Sequence, residues 1–102
     1  MKKLEVIWTA QALTELDIIF EYYFPKSPKA ADKIIAALLS RTEQLAKFSF
    51  SGQEEALLKK LKLHHRYLVQ DNYKIIFYVT SKAVYITDVF DTRRNPKKII
   101  KK

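Results

Sequence analysis

Two adjacent residues, His64 and His65, are the only histidines in the chain. Imidazole titrates near neutral pH, so a histidine suits general acid–base chemistry, in which a side chain gives a proton to a reacting group or takes one from it. Both histidines fall in a predicted strand, where neighbouring side chains point to opposite faces of the sheet. His64 would therefore share a face with Arg66, whose cation could hold a phosphate, and His65 would share the other face with Tyr67. A structural or surface role for both histidines is the alternative.

Positive charge is concentrated in the second half of the chain. Of the 19 Lys and Arg residues, 12 lie within 57–102, together with 3 of the 11 Asp and Glu residues; this half has a net charge of +9, and the chain has +8. Six of these cations lie in the last ten positions, 93–102. This asymmetry predicts a positive surface for a polyanion or an acidic protein, with an ordinary solvated basic surface as the alternative.

The composition also bounds the class of protein. A length of 102 residues suits one domain, 1–102. The absence of cysteine excludes disulfides, a thiolate nucleophile and cysteine-ligated metal. No apolar run of about 18 residues is present, and Glu5, Thr9 and Gln11 interrupt any apolar core of a signal peptide. We therefore expect a cytoplasmic protein with no cofactor, no metal site and no membrane insertion.

Hydrophobic periodicity predicts a strand and two helices in the first half of the chain. The β-branched and aromatic run 4–8 favours a strand. Thr9 can cap a helix over 10–23, in which the apolar residues have helical spacing. After a turn with two prolines, Ser27 can cap a second helix over 28–47. Two helices joined by so short a turn form an antiparallel helical hairpin.

Three strands are predicted in the second half, over 63–69, 73–80 and 83–90, while 53–60 is either a loop or a short helix. The short turns between these strands require antiparallel neighbours. The resulting β-α-α-β-β-β order predicts a two-layer α+β domain, in which the N-terminal strand joins an antiparallel meander and the helical hairpin covers one face. The other face would stay partly open, and a basic tail, 91–102, would follow the sheet.

This order of elements resembles the RelE/ParE toxin superfamily of type II toxin–antitoxin systems, which includes plasmid-stabilisation-like proteins. The similar segments are 6–9 with Ala12 and Leu16, Tyr22 and Tyr23 with Ser27, Pro28 and Ala31, and then 52–55, 66–69, 73–78 and 85–90. They cover nearly the whole chain. No motif among them is specific by itself, so the resemblance depends on their order and spacing.

The resemblance implies a toxin neutralised by a cognate acidic antitoxin, and three activities stay open. A ParE-like toxin would inhibit DNA gyrase or a related target. A RelE-like toxin would be a metal-independent mRNA interferase that cuts messenger RNA on the ribosome. A toxin fold that has lost its activity would serve only as a binding module. Assembly as a homodimer or as a toxin–antitoxin hetero-oligomer also stays open.

Cleavage of RNA would need a base for the ribose 2′-hydroxyl, cations for the scissile phosphate and an acid for the leaving oxygen. By the resemblance, Glu54 or Glu55 stands where some RelE-like enzymes place the base, and Lys74 stands where a cation contacts phosphate. Arg93 matches a cation after the last strand, but the catalytic His or Tyr that follows it in such enzymes is absent here. Arginine stays protonated at neutral pH, so Arg93 could hold phosphate but could not act as the acid.

The candidate residues form two sets, which partly overlap. The catalytic set, which applies only to a RelE-like activity, is Glu54, Glu55, His64, Lys74 and Arg93. The phosphate-binding set is Arg66, Lys74, Arg93, Arg94, Lys97 and Lys98. The missing acid favours gyrase inhibition over RNA cleavage. If the second sheet face is open, Lys74 and Tyr78 become accessible together on it.

Overall fold

Two helices pack on one face of a mixed β-sheet. The computed structural model describes residues 3–48, 53–54 and 64–93. In chain order the elements are β1 (Glu5–Trp8), α1 (Ala10–Tyr23), α2 (Pro28–Glu43), a 3-10 helix (Gln44–Ala46), β2 (Gln53–Glu54), β3 (Arg66–Gln70), β4 (Tyr73–Val79) and β5 (Ala83–Asp91). The two-layer α+β fold predicted from the sequence is confirmed, and the two-residue β2 adds a fifth strand to the four that were expected.

Both helices begin where the sequence predicts, because local side chains cap their first turns. The Thr9 hydroxyl accepts a hydrogen bond from the Ala12 amide at 3.3 Å, and the Ser27 hydroxyl accepts one from the Ala30 amide at 3.1 Å. Pro28 occupies the first turn of α2, where a missing N–H leaves no bond unmade. These caps satisfy backbone donors that have no partner inside the helix.

The second helix ends earlier than predicted. The α-helical hydrogen bonding of α2 stops at Glu43 instead of continuing to Lys47, and the chain tightens into the 3-10 turn Gln44–Ala46. The Ala46 carbonyl then accepts a hydrogen bond from the Leu4 amide at 2.9 Å. This bond fixes the end of the helical hairpin to the start of β1. Neither helix combines the length and apolar character that a membrane span requires, as far as the described residues go.

The strands lie in the order β1-β5-β4-β3-β2, with β1 parallel to β5 and every other pair antiparallel. β1 pairs with positions 83–86, while β5 continues to Asp91. The register between β4 and β5 shifts between Ile76 and Phe77, which leaves Thr87 as an extra residue in a β-bulge. The second part of β5 therefore extends beyond the end of β1.

The main core lies between the helices and the sheet. It contains Ala12, Leu16, Ile19, Leu38, Leu45, Leu68, Tyr73, Ile75, Phe77, Val84, Ile86 and Val89. The opposite sheet face holds a smaller cluster of Ile76 and Phe90 with Tyr67 packed against it. Because Ile76 and Phe90 are buried and Lys74 and Tyr78 are half-buried, this second face is less open than the sequence suggested.

Candidate functional site

Lys74 lies on the sheet face that points away from the helices. Its Nζ is 4.3 Å from the centre of the Tyr67 ring, within the range of a cation–π contact. In the register, Lys74 stands opposite Val69 of β3 and Phe90 of β5. The predicted position on the second face is thus correct, and the ammonium group is already in contact with an aromatic ring.

Arg93 lies on the helix side of the sheet, just after β5. Its Nε and Nη2 donate to the two carboxylate oxygens of Asp91 at 2.9 and 2.8 Å, and its backbone amide also donates to Asp91 at 2.9 Å. The hydrogen bonds to Asp91 and its negative charge raise the pKa of Arg93, with a further hydrogen bond to Tyr23 of α1. Lys74 and Arg93, predicted together for phosphate, therefore lie on opposite sides of the sheet.

The two histidines occupy different environments. His64 is exposed and precedes β3, with a φ of 56° in the left-handed region, so the strand alternation used to place it beside Arg66 does not reach it. His65 is buried, and its ring meets the Tyr78 ring edge-on with 5.4 Å between the centres. This packing favours the structural alternative for His65.

The remaining candidates are dispersed or lie outside the described residues. Arg66 stands in the register opposite Phe77, whose ring is in the core on the helix side, and it also pairs with Glu54 of β2. Four further candidates lie outside the part of the chain that the structure describes, so their predicted roles stay predictions: Glu55, Arg94, Lys97 and Lys98. The described members of the two candidate sets are therefore not brought together around one position.

Two tyrosine rings and a buried carboxyl share the second face with Lys74. The Tyr78 and Tyr85 rings stack across β4 and β5, with 5.1 Å between the centres and 20° between the planes. Asp88 is 6% exposed on the same face, and burial raises its pKa to about 6. An aspartate inside an apolar strand was the sequence signal for this buried carboxyl.

A groove of about 540 Å³ lies between α1 and the second part of β5. Its lining comprises Gln11, Thr14, Glu15, Ile18, Ile19 and Tyr22 of α1, Tyr73 of β4, Val89 and Asp91 of β5, and Arg93. Ile18 and Tyr22 are 61% and 57% exposed, although both are large apolar residues. Their spacing of four along α1, beside the buried stripe, was the signal in the sequence for a second apolar face.

Polar contacts fix the walls of this groove. Glu15 accepts a hydrogen bond from the Val89 amide at 2.8 Å, which joins α1 to β5. At the other end, the Tyr73 hydroxyl donates to the Tyr23 hydroxyl at 3.4 Å, and burial is the largest cause of the raised pKa of Tyr73. Lys26 places its Nζ 3.5 Å from the centre of the Tyr22 ring. The groove thus has an apolar wall at Ile18 and Tyr22, and its lining includes the bonded pair Asp91 and Arg93.

The described ranges contain no group of three His, Asp or Glu side chains arranged to hold a metal ion. What they do contain is a surface suited to a macromolecular partner. Exposed apolar side chains next to a well-formed groove are typical of a protein-binding site.

Comparison with known proteins assigns a family. Residues 6–96 match a family model described as the ParE toxin of the type II toxin–antitoxin system parDE. A solved structure described as the "Chromosomal ParDE TA system from P. aeruginosa" is similar with a TM-score of 0.73 and 19% sequence identity, over 89% of this chain and 98% of that chain. At this identity the solved structure supports the fold alone. No curated protein matches the sequence.

Proposed function

The chain belongs to the ParE toxin family of type II toxin–antitoxin systems, and from this premise we propose that it is a cytoplasmic toxin that inhibits DNA gyrase. An acidic antitoxin would neutralise it. With a net charge of +8, the chain attracts an acidic partner over a long range and repels basic ones.

The observation that carries the gyrase proposal is the separation of the two described cations that RNA cleavage would need together. Lys74 lies on the face away from the helices, and Arg93 is bound to Asp91 on the helix side. A phosphoryl group must contact its catalytic groups at hydrogen-bond distance, and one phosphate cannot touch both faces of a sheet. This separation supports a toxin that acts by binding a protein over one that cuts RNA.

The test is an in vitro supercoiling assay with purified gyrase and relaxed plasmid. We expect the chain to inhibit supercoiling or to trap a gyrase–DNA cleavage complex, and stoichiometric antitoxin to restore activity. Bovine serum albumin at equal concentration controls for non-specific effects. Full supercoiling with no trapped complex at a large molar excess of toxin would reject the gyrase target.

The same preparation can test the RNA-cleaving alternative. Primer extension on a translated message, with ribosomes present, is expected to show no toxin-dependent cuts. Cuts within codons that disappear in both Lys74→Ala and Arg93→Ala would instead establish a RelE-like interferase. Expression that leaves growth unchanged without any antitoxin would favour an inactive binding module.

A further inference from the structure

The side of the helical hairpin that faces away from the sheet exposes apolar side chains. Leu13 of α1 is 47% exposed and Leu39 of α2 is 38% exposed, whereas the helix positions that pack on the sheet are buried. Phe24, just after α1, is also exposed, and its ring centre lies 5.2 Å from that of Phe20. Large apolar side chains exposed together on neighbouring helices are typical of a surface that another protein covers.

Helix geometry places the two leucines side by side. Ile18 faces the groove on one flank of α1, so α2 lies along the other flank, which is that of Leu13. On α2, Arg41 donates to the Val69 carbonyl of β3, so Leu39, about 200° away around the helix, faces α1. Leu13 lies ten residues before the end of α1 and Leu39 eleven residues after the start of α2, so both are about 15–17 Å from the turn.

The two helices carry opposite net charge. α1 contains three acidic residues and no basic one, while α2 contains three basic and two acidic residues. Asp17 and Glu21 are exposed on α1, and Lys29 and Lys33 are exposed on α2. The ion pairs within the described ranges involve none of these four groups. All four are therefore available to the charged groups of a partner.

The four charges also match in position along the helices. Asp17 and Lys33 lie six and five residues from the turn-side ends of their helices, and Glu21 and Lys29 lie two and one residues from them. At ~1.5 Å per residue, the members of each pair differ in height above the turn by only about 1.5 Å. A second hairpin, rotated by 180° about an axis parallel to the helices, would lay its α2 on α1 of the first and keep every residue at its height. Each acidic side chain would then meet a lysine of the other copy.

We propose that two copies of the chain form a dimer through the outer sides of their helical hairpins, related by a twofold axis parallel to the helices. The two leucines then lie at the centre of the contact, and both acid–lysine pairs form twice between the copies. A twofold axis requires a surface that is complementary to itself in this way. The groove lies on the other flank of α1, so the inference is independent of what the groove binds and of the gyrase target.

The net charge of +8 does not prevent this contact. Because residues 57–102 carry +9 of that total of +8, residues 1–56, which contain both helices, carry −1. In the proposed dimer the helices meet and the two sheets face outward. Three layer spacings of about 10 Å place the sheets roughly 30 Å apart, several times the Debye length of about 8 Å at physiological ionic strength. The repulsion between the two basic halves is therefore screened.

The size of the face sets the expected strength of the dimer. With 14 and 16 residues, α1 and α2 are about 21 and 24 Å long at ~1.5 Å per residue, and packed helices lie about 10 Å apart. A face of these dimensions buries roughly 600 Å² on each copy, which is at the lower end of the range for specific interfaces. We therefore expect a reversible dimer with a Kd on the order of micromolar.

The first test is sedimentation equilibrium of the chain alone, with aspartate substitutions on the two flanks of α1 and on α2. Leu13→Asp and Leu39→Asp should each raise the Kd of the dimer at least tenfold. Ile18→Asp places the same charge at an exposed residue on the groove flank and should change the Kd less than threefold. Circular dichroism checks that all variants are folded. A wild-type chain that stays monomeric at several hundred micromolar, or a dimer that Ile18→Asp alone dissociates, would overturn the proposal.

The second test reverses one of the charge pairs. Asp17→Lys and Lys33→Asp should each raise the Kd of the dimer at least fivefold, because each brings two like charges together across the twofold axis. The double variant restores an opposite pair with reversed sign, so its Kd should return to within about twofold of the wild-type value. A double variant weaker than both single variants would exclude this arrangement of the hairpins.

A third measurement distinguishes the second copy from the antitoxin as the occupant of this face. The Kd for the cognate antitoxin should change less than threefold in Leu13→Asp and in Leu39→Asp. A loss of antitoxin affinity as large as the loss of dimerisation would assign the outer side of the hairpin to the antitoxin and overturn the proposal. Supercoiling assays report on gyrase separately, so failure of the gyrase proposal leaves these measurements interpretable.

Discussion

The buried carboxyl of Asp88 predicts how the free energy of unfolding depends on pH. Its carboxyl is 6% exposed and stands beside Ile76 in the register, and burial raises its pKa from 3.8 to about 6, partly opposed by a hydrogen bond with Thr87. A carboxyl with a higher pKa in the folded than in the unfolded protein holds its proton more tightly when folded. The stabilisation is complete below about pH 4 and is lost as the pH rises through about 6.

The magnitude follows from the two pKa values. The difference between 3.8 and about 6 corresponds to about 3 kcal/mol at ~1.36 kcal/mol per pKa unit. Asp88→Asn replaces the carboxyl with a neutral amide of nearly the same shape, which removes this proton linkage. Because the unfolded carboxyl is already partly ionised at pH 4, we expect the free energy of unfolding of the variant to gain about 2.5 kcal/mol of this relative to that of the wild type between pH 4 and pH 7.5.

Urea unfolding followed by circular dichroism at pH 4, 5, 6 and 7.5 measures this difference. Asp32→Asn is the matched control, because Asp32 is an exposed carboxyl on α2, and its curve should run parallel to that of the wild type. If the Asp88→Asn and wild-type stabilities also stay parallel across this range, the buried carboxyl does not titrate as its surroundings require.

Two further substitutions test how the helices are held to the sheet. Thr9→Ala should lower the free energy of unfolding by about 1–2 kcal/mol, because the hydroxyl both caps α1 and donates to the Ile86 carbonyl at 2.9 Å. Thr9→Ser keeps the hydroxyl, so it should cost less than half as much in the same urea assay. Leu38→Ala should lower the free energy of unfolding by about 2–5 kcal/mol because the side chain is fully buried. Leu39→Ala, at a leucine that is 38% exposed, should lower it by less than about 1 kcal/mol. Equal losses would mean that the core does not lie where the structure puts it.

The parts of the fold that local chemistry controls could be predicted from the sequence. The starts of α1 and α2 depend on the hydroxyls of Thr9 and Ser27, which act within three residues along the chain. The prediction for the end of α2 ran four residues too long, and there the chain makes a contact with a residue far away in sequence, the hydrogen bond from the Leu4 amide to the Ala46 carbonyl. Similarly, the start of β3 was predicted too early because the backbone turns at His64.

The candidate site was harder to predict because it depends on which elements are neighbours. Strand alternation correctly placed Lys74 and Tyr78 on one face of β4, which they share with the buried Ile76. The groove beside α1, in contrast, exists because β1 pairs in parallel with β5 and ends before it. Neither the choice of β5 as the partner of β1 nor the difference in their lengths is encoded in a local pattern of residues. The spacing of four between Ile18 and Tyr22 can be read from the sequence, but their exposure and what lies beside them cannot.

One inserted residue in β5 determines which side of the sheet receives the C-terminal charge. Before the bulge at Thr87, Val84 and Ile86 point to the helix side; after it, Val89 does so and Phe90 joins the opposite face. Without the bulge, the odd-numbered residues of β5 would all lie on the face of Tyr85, which is also the face of Lys74. Asp91, and the Arg93 bound to it, would then lie on the same face as Lys74. The bulge reverses this phase, which sends Val89 into the core and Arg93 to the groove beside α1. The same inserted residue therefore separates the two cations, which argues against a shared phosphate site.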